Sequence, residues 1–308
     1  MELVDVSNWP LDESAGVFPV GARDKEMVWA PESVEAPLRS SWPYLFKESI
    51  ARYPDQYWTE VVAYIVSTHL GVWVPRTLPA FKIVDGVRRE GALIEWFYDV
   101  NSDRYISGEP FFKKLIPNFD DKTGRQHNIR DLILILRSFA INYSLDTDYK
   151  SWLADVAIFD CLIGNTDRHQ ENWGAIYKEG DIIVLSPLFD NGTSLGHERF
   201  TDRVAGWDID RLYKYLLKGD NHLRFTRKAD SKRINHFSLV HLIANKLPWG
   251  LNDYMLSKVE SVDLPLMLRE ISTLIDIKCE QSFTRERYDW MGRILVARHM
   301  LLLNTINR

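Results

Sequence analysis

An aspartate at 167, an asparagine at 172 and a second aspartate at 190 have the types and spacing to do chemistry. They lie in Ile163-Gly-Asn-Thr-Asp167-Arg-His-Gln-Glu-Asn172 and in Phe189-Asp190-Asn-Gly192. A carboxylate five positions before a carboxamide, with another carboxylate beyond a short hairpin, suits phosphoryl transfer from a magnesium nucleotide. That reaction asks the protein mainly for in-line positioning and for neutralisation of developing charge. Asp167 would orient an attacking hydroxyl. Asn172 and Asp190 would hold magnesium, a hard cation that takes few protein ligands and keeps several waters. The bland alternative is a polar loop with an Asx turn, and Asp-Asn-Gly is itself a strong turn signal. The two segments together favour the functional reading.

Such a site also needs a phosphate anchor. Lys47 ends the apolar run Tyr44-Leu-Phe-Lys47, where a lysine either snorkels or meets an anion. Glu60, on a helix that follows, would pair with it and hold it still. Gly21 to Lys25 would cover the phosphates, since a glycine lets backbone N–H groups approach an anion; an ordinary hairpin turn reads equally well there. His169 is read as a loop-capping residue and Asp160 as a buried hydrogen-bonding brace. The basic stretch Arg224, Arg227, Lys228, Lys232, Arg233 is read as a solvated face, against an acidic partner, nucleic acid or phosphorylated substrate as functional alternatives.

The elements that must position these residues change character near Tyr98. Before it, short β-type runs occur at Gly16–Val20, Glu26–Ala30, Trp42–Lys47, Val72–Val84 and Gly91–Phe97. Pro75 and Pro79 mark the fourth run as an edge or interrupted strand. Between them a helix opens at Pro54 and runs to Leu70, with Trp58, Val61, Val62, Ile65 and Val66 at helical spacing and Gly71 as its stop. After a polar stretch, 101–126, helices are expected at Ile129–Tyr143 (N-cap Asn128) and Tyr149–Ile163. A strand pair follows at Trp173–Tyr177 and Ile182–Leu185, and the chain reads as helical from about Asp208 onward. The expected fold is α+β, two-lobed and protein-kinase-like. A small β-rich N-lobe (1–97) would carry the phosphate loop, the lysine strand and the glutamate helix. A larger, mostly helical C-lobe (98–308) would carry the catalytic loop and the metal aspartate.

Composition narrows the class. The chain has 308 residues, 45% hydrophobic and 26% charged, with eleven tryptophans, which is a globular profile. Its net charge of −5 gives no general attraction to nucleic acid or anionic membrane, so direct binding to either is not expected. Cys161 and Cys279, both in apolar helical-looking surroundings, are read as buried free thiols. Met1-Glu-Leu-Val-Asp-Val lacks the regions of a signal peptide, and no apolar run is long enough to span a bilayer, so a cytoplasmic protein is expected.

Asp160-Cys-Leu-Ile-Gly-Asn-Thr-Asp-Arg-His-Gln-Glu-Asn172 with Leu185-Ser-Pro-Leu-Phe-Asp-Asn-Gly192 resembles the HipA-like serine/threonine kinases of bacteria. Leu45-Phe-Lys47, Tyr57-Trp-Thr-Glu60, Pro19-Val-Gly21 with Lys25, and Lys218-Gly-Asp-Asn-His-Leu-Arg224 extend the likeness over most of the chain. The resemblance implies ATP and Mg2+ as cofactors, Asp167 as catalytic aspartate, Asn172 and Asp190 as metal ligands, and Lys47 with Glu60 on phosphate. It places Glu95 and Phe97, in Ile94-Glu-Trp-Phe97, at the hinge that meets adenine. It implies a protein substrate and a small DNA-binding antitoxin partner, or an effector role. Two departures stand out. No additional N-terminal subdomain fits before Val17, so a compact member is expected. Val20-Gly-Ala-Arg-Asp-Lys25 has no hydroxyl, so inhibition by loop autophosphorylation is not. The Asp-Arg-His-x-x-Asn form is shared with phosphoinositide kinases, which makes lipid phosphorylation the second enzyme reading; a nucleotide-binding pseudokinase is the non-catalytic one.

Overall fold

The computed structural model describes residues 2–12, 25–228 and 230–308. Its first sheet has five strands, β1 (Val4–Asp5), β2 (Lys25–Trp29), β3 (Pro43–Glu48), β4 (Thr77–Val84) and β5 (Val87–Glu95), in the order β1-β4-β5-β3-β2. The β1–β4 pair is parallel and the other neighbours are antiparallel. Between β3 and β4 runs α1 (Tyr57–Leu70). It starts three residues after Pro54, where Ser49 Oγ accepts the Tyr57 N–H at 2.8 Å. It ends where Gly71 takes a left-handed conformation and donates to Ser67 O.

α1 is buried almost all round. Trp58, Val61, Val62, Ala63 and Val66 have no exposed surface, and neither does Thr59 on another face. A helix hydrophobic on one stripe covers a sheet; one buried on all sides is sandwiched. Here the sheet lies on one side and the rest of the molecule on the other. Trp58 Nε1 donates to Gln281 O at 2.7 Å, and Arg287 Nε meets Asp55 Oδ2 at 2.8 Å just before the helix.

The remainder comprises β6 (Arg104–Ser107), α2 (Gly108–Leu115), α3 (Ile129–Asn142), β7 (Ser144–Leu145), α4 (Tyr149–Ile163), β8 (Gly174–Lys178) and β9 (Ile182–Leu185). The strands form a second sheet, ordered β6-β8-β9-β7. There follow α5 (Thr201–Val204), α6 (Ile209–Leu216), β10 (Asp220–Arg224), β11 (Arg233–Asn235), α7 (His236–His241) with a π-helical turn, α8 (Asn252–Glu260), α9 (Leu264–Ser272) with a 3₁₀ turn, and α10 (Arg285–Ile306). The central member is α4: Leu153, Ala154, Ile158, Phe159, Cys161, Leu162 and Ile163 are fully buried. Asp148 caps its start through the Ser151 N–H, and Gly164 ends it at φ 69°.

Several expectations are corrected. The Pro-bearing run, read as an edge or interrupted strand, is interrupted: it is a strand only from Thr77, and two-residue β1 pairs with it only at Ala80 and Phe81, beyond the prolines. β5 starts four residues earlier than read and stops at Glu95. The polar stretch 101–126 contains β6 and α2, and the supposedly all-helical end contains the antiparallel β10–β11 pair. Cys161 is buried in α4, its thiol pushed up to about 12 by burial; Cys279 is only partly buried, outside any helix, 3.8 Å from the Tyr57 hydroxyl. Asn128 caps α3 as expected, accepting the Asp131 N–H at 3.1 Å. The run 16–20 and the loop 21–24 lie outside the described residues. No helix among the described residues is long and apolar enough to cross a membrane.

Candidate active site

Strand β3 delivers Lys47 to the face covered by α1. A lysine only 5% exposed must be paired, because an isolated buried ammonium is strongly disfavoured. Its Nζ sits 2.8 Å from Glu60 Oε1 and 2.6 Å from Asp190 Oδ1. The other oxygen of Glu60 accepts the Asn191 N–H at 2.8 Å. One carboxylate on α1 therefore holds both the lysine and the backbone next to Asp190. The approach of β5 to β3 at this point requires Gly91, since a Cβ there would meet Lys47 O at 2.6 Å. Lys25 opens β2 directly opposite Lys47 in the ladder. Gly21 lies outside the described residues.

The loop after α4 is built on hydrogen bonds within itself. Asn165 Oδ1 accepts the Asp167 N–H at 2.9 Å, and Asp167 O accepts both the His169 N–H at 2.7 Å and Asn172 Nδ2 at 2.8 Å. With Nδ2 so engaged, the Asn172 carboxamide turns its Oδ1 to the other side, the atom a hard cation would take. From outside, His236 Nε2 donates to Asn165 O at 2.6 Å. His236 is fully buried, and burial pushes its pKa down to about 3, so the ring is neutral.

Arg168 joins this loop to the Asp190 segment. It is 2% exposed, with Nη2 on Asp160 Oδ1 at 2.9 Å and on Asn191 Oδ1 at 2.7 Å. Its Nη1 donates to Asn172 O at 3.3 Å and to Phe189 O. Asp160 is thus the brace expected of it; burial pushes its carboxyl pKa up and Arg168 pulls it back down. Asp190 itself sits at φ 57°, a left-handed conformation that aspartate tolerates better than most residues.

Asp167 is partly buried beside this frame. Burial raises its pKa, with the Asp190 charge adding to the rise, while His169, Arg233 and Arg168 oppose it. His169 accepts the Glu171 N–H on Nδ1 and packs its ring 5.8 Å from that of His222 on β10.

At the hinge the two expected residues, Glu95 and Phe97, line one cavity with Trp96 between them. Phe97 stacks on Phe189 at 5.2 Å and 16°, immediately before Asp190, and meets the edge of Tyr105 at 5.3 Å. Glu95 is half-buried, with its carboxylate 3.9 Å from Arg76. The cavity, of about 360 Å³, is also lined by Arg39, Trp42, Tyr64, Trp73 and Arg76. None of Lys47, Asp167, Asn172 and Asp190 lines that cavity.

Lys47, Glu60 and Asp190 are therefore in direct contact, and Asn172 and Asp167 are hydrogen-bonded within one loop tied to Asp190 by Arg168. No group of three or more His, Cys, Asp or Glu side chains among the described residues is placed to hold a metal. Asn172 and Asp190 offer a carboxamide and a carboxylate, the donor types a magnesium ion takes when a nucleotide brings the other oxygens. Sequence reasoning missed Arg168, Asn165, Asn191 and His236. Only Arg168 left a signal: an arginine eight positions after a carboxylate that sits in an apolar helix.

A family model described as the HipA-like C-terminal domain matches residues 18–237. The chain is 26% identical over 144 residues to the serine/threonine-protein kinase CtkA of Helicobacter pylori; the match spans 41% of this chain and 38% of that protein's length. The crystal structure of the Helicobacter pylori proinflammatory kinase CtkA superposes with a TM-score of 0.72 at 17% identity, covering 99% of this chain and 96% of that one. HipA of Shewanella oneidensis, in a complex with HipB and operator DNA, gives a TM-score of 0.47 at 14% identity, over 96% of this chain and 66% of that one. Matched by the family model over well more than half its length, and sharing the fold of CtkA, the chain belongs to the HipA-like C-terminal domain family of kinases.

Proposed function

We propose that the chain is an ATP- and magnesium-dependent serine/threonine protein kinase. The observation that carries this reading is Lys47 Nζ held between Glu60 and Asp190, at 2.8 and 2.6 Å. A buried lysine clamped by a helix carboxylate next to a mobile-charge aspartate is the arrangement that presents an ammonium to phosphate oxygens. Bound ATP would supply the phosphoryl group, and magnesium on Asn172 and Asp190 would neutralise its oxygens. Lys47, steadied by Glu60, would bind the α/β-phosphates, with Gly21 to Lys25 covering them and Ile94–Phe97 lining the adenine side. Asp167 would orient the acceptor hydroxyl and take its proton late, since a loose transition state asks for little base strength. The working division is an N-lobe of 1–97 and a C-lobe of 98–308.

The test is incubation with magnesium and γ-labelled ATP, wild type beside Asp167→Asn, with lysate protein and phosphoinositide vesicles as acceptors. Label in protein that disappears in the variant is the expected result. Label confined to lipid would replace the reading with lipid phosphorylation. Nucleotide binding indifferent to magnesium, with no transfer to any acceptor, would make the chain a pseudokinase.

A further inference from the structure

Arg224 and Arg233 stand directly opposite each other across the β10–β11 pair. Like charges at directly opposed positions destabilise an antiparallel ladder. The register of the pair shifts between Asp220 and Arg224; Leu223 and Ile234 sit in the core at 1% and 0% exposure, while Arg224 is half-buried and Arg233 exposed. His222, two residues before Arg224, sets its ring 5.8 Å from that of His169 in the loop that carries Asp167. The strand pair therefore adjoins that loop, with Arg233 near enough for its charge to act on both Asp167 and His222.

A third arginine joins them. Arg224 donates its backbone N–H to His127 O at 3.0 Å and bridges to Asn128, which brings exposed Arg125 alongside. None of Arg125, Arg224 and Arg233 forms an ion pair with a described residue, whereas neighbouring Arg227 is held by both oxygens of Asp131 at 2.7 and 2.6 Å. Repulsion within the cluster is felt: desolvation first, then Arg233 and Arg125, lower the pKa of Arg224. Three arginines without a salt bridge to a described residue have thus gathered on a chain whose net charge is −5, Arg224 donating to Ser231 O and Arg233 acting on Asp167.

We infer that this face of β10–β11 binds carboxylate side chains that flank the acceptor hydroxyl of a protein substrate, so that the enzyme phosphorylates serine or threonine in acidic sequence. The inference rests on the kinase reading and adds its substrate class. Guanidinium forks match carboxylates bidentately, and their place beside the Asp167 loop puts the bound acid within a few residues of the phosphorylated one. A peptide fits better than a nucleic acid. Polyanion binding gains from many phosphate contacts along an extended basic surface, and here the basic stretch is short and the chain as a whole carries a net charge of −5.

The experiment uses the full chain with magnesium and a non-hydrolysable ATP analogue. Fluorescence anisotropy follows three degenerate serine-centred peptide pools, flanked by glutamate, alanine or lysine, and a single-stranded RNA oligomer. The glutamate pool is expected to bind about tenfold more tightly than the alanine pool, with the lysine pool weakest. Arg233→Glu, on an exposed side chain that need not disturb folding, is expected to abolish the preference, while Arg227→Gln leaves it. A parallel turnover assay on the same pools should show the same order in kcat/KM. Equal binding of the three pools, an acid preference that survives Arg233→Glu, or tighter binding of RNA than of any peptide would each overturn the inference and leave the kinase reading standing. Failure of the kinase reading shows separately, as loss of magnesium-dependent binding of the analogue itself.

Discussion

The guanidinium of Arg168 and the carboxylate of Asp160 form an ion pair of 2.9 Å in which the side chains are 2% and 0% exposed. Both lie between α4 and the loop that follows it, and the same guanidinium reaches Asn191. Removing one partner leaves a buried charge without a counterion, which is more damaging than never having had the pair. Arg168→Ala should lose about 3–5 kcal/mol of stability, read by urea unfolding. A double-mutant cycle with Asp160→Asn should show strong coupling, because the second change removes the charge stranded by the first. Additive losses would mean that the pair does not hold the two segments together.

Glu60 accepts from two donors, the charged Lys47 ammonium and the neutral Asn191 N–H. Glu60→Gln keeps the shape and drops the negative charge. A charge-assisted hydrogen bond contributes about 1.5–3 kcal/mol, so kcat/KM for ATP should fall roughly ten- to hundredfold. Circular dichroism should show the fold intact. Unchanged kinetics would detach Glu60 from the phosphate anchor.

Burial raises the pKa of Asp167 from the usual aspartate value. A hydroxyl-orienting carboxylate must be ionised, so the acid limb of the pH–rate profile should lie above the pH at which an ordinary aspartate titrates. The linkage has the opposite sign for stability. A carboxyl whose folded pKa is raised stabilises the protein below its unfolded pKa, and that contribution is lost as pH rises through the folded value. At neutral pH, Asp167→Asn should therefore melt no lower than wild type while losing turnover. A variant that melts well below wild type would show that the carboxylate supports the fold. Because the Asp190 charge adds to the shift, Asp190→Asn should lower the Asp167 titration midpoint, followed by ¹³C NMR of the carboxyl.

Three buried histidines set the acid limit of the fold. Burial pushes His222 and His236 down to about 3, and His127 well below the usual range. The contacts agree with neutral rings: Trp173 Nε1 donates to His127 Nε2 at 3.3 Å, and His127 Nδ1 meets His222 Nδ1 at 3.5 Å, where only one of the two can carry a proton. A histidine with a depressed folded pKa contributes stability above its unfolded value, lost as pH falls from there toward the folded one. Unfolding free energy should thus drop below about pH 6.5 by about 1.4 kcal/mol per pH unit for each such histidine. His222→Gln should make the fall shallower by one proton. An unchanged slope would mean that His222 does not titrate on unfolding.

Composition, periodicity and motif spacing determined much of this protein from sequence alone. The helix around Trp58 and Val62, its stop at Gly71, the cap at Asn128 and the five-residue spacing of Asp167 and Asn172 are local patterns, and local patterns follow from backbone propensity and side-chain period. The tertiary structure decided what depends on distant pairing. β10 and β11 are short and charged, and they pair only because Leu223 and Ile234 find a core that the window around them does not contain. β1 has two residues, too few for any periodicity, and exists because β4 offers it an open edge at Ala80 and Phe81. The site divides in the same way. Lys47, Glu60 and Asp190 were legible as residue types in order, but contacts of 2.8 and 2.6 Å between residues up to 143 positions apart belong to the packing of α1 between the sheet and the helices. Arg168 read as one charged residue in a polar loop; its burial, and with it the join between Asp160, Asn172 and Asn191, appears only when α4 is surrounded on every side.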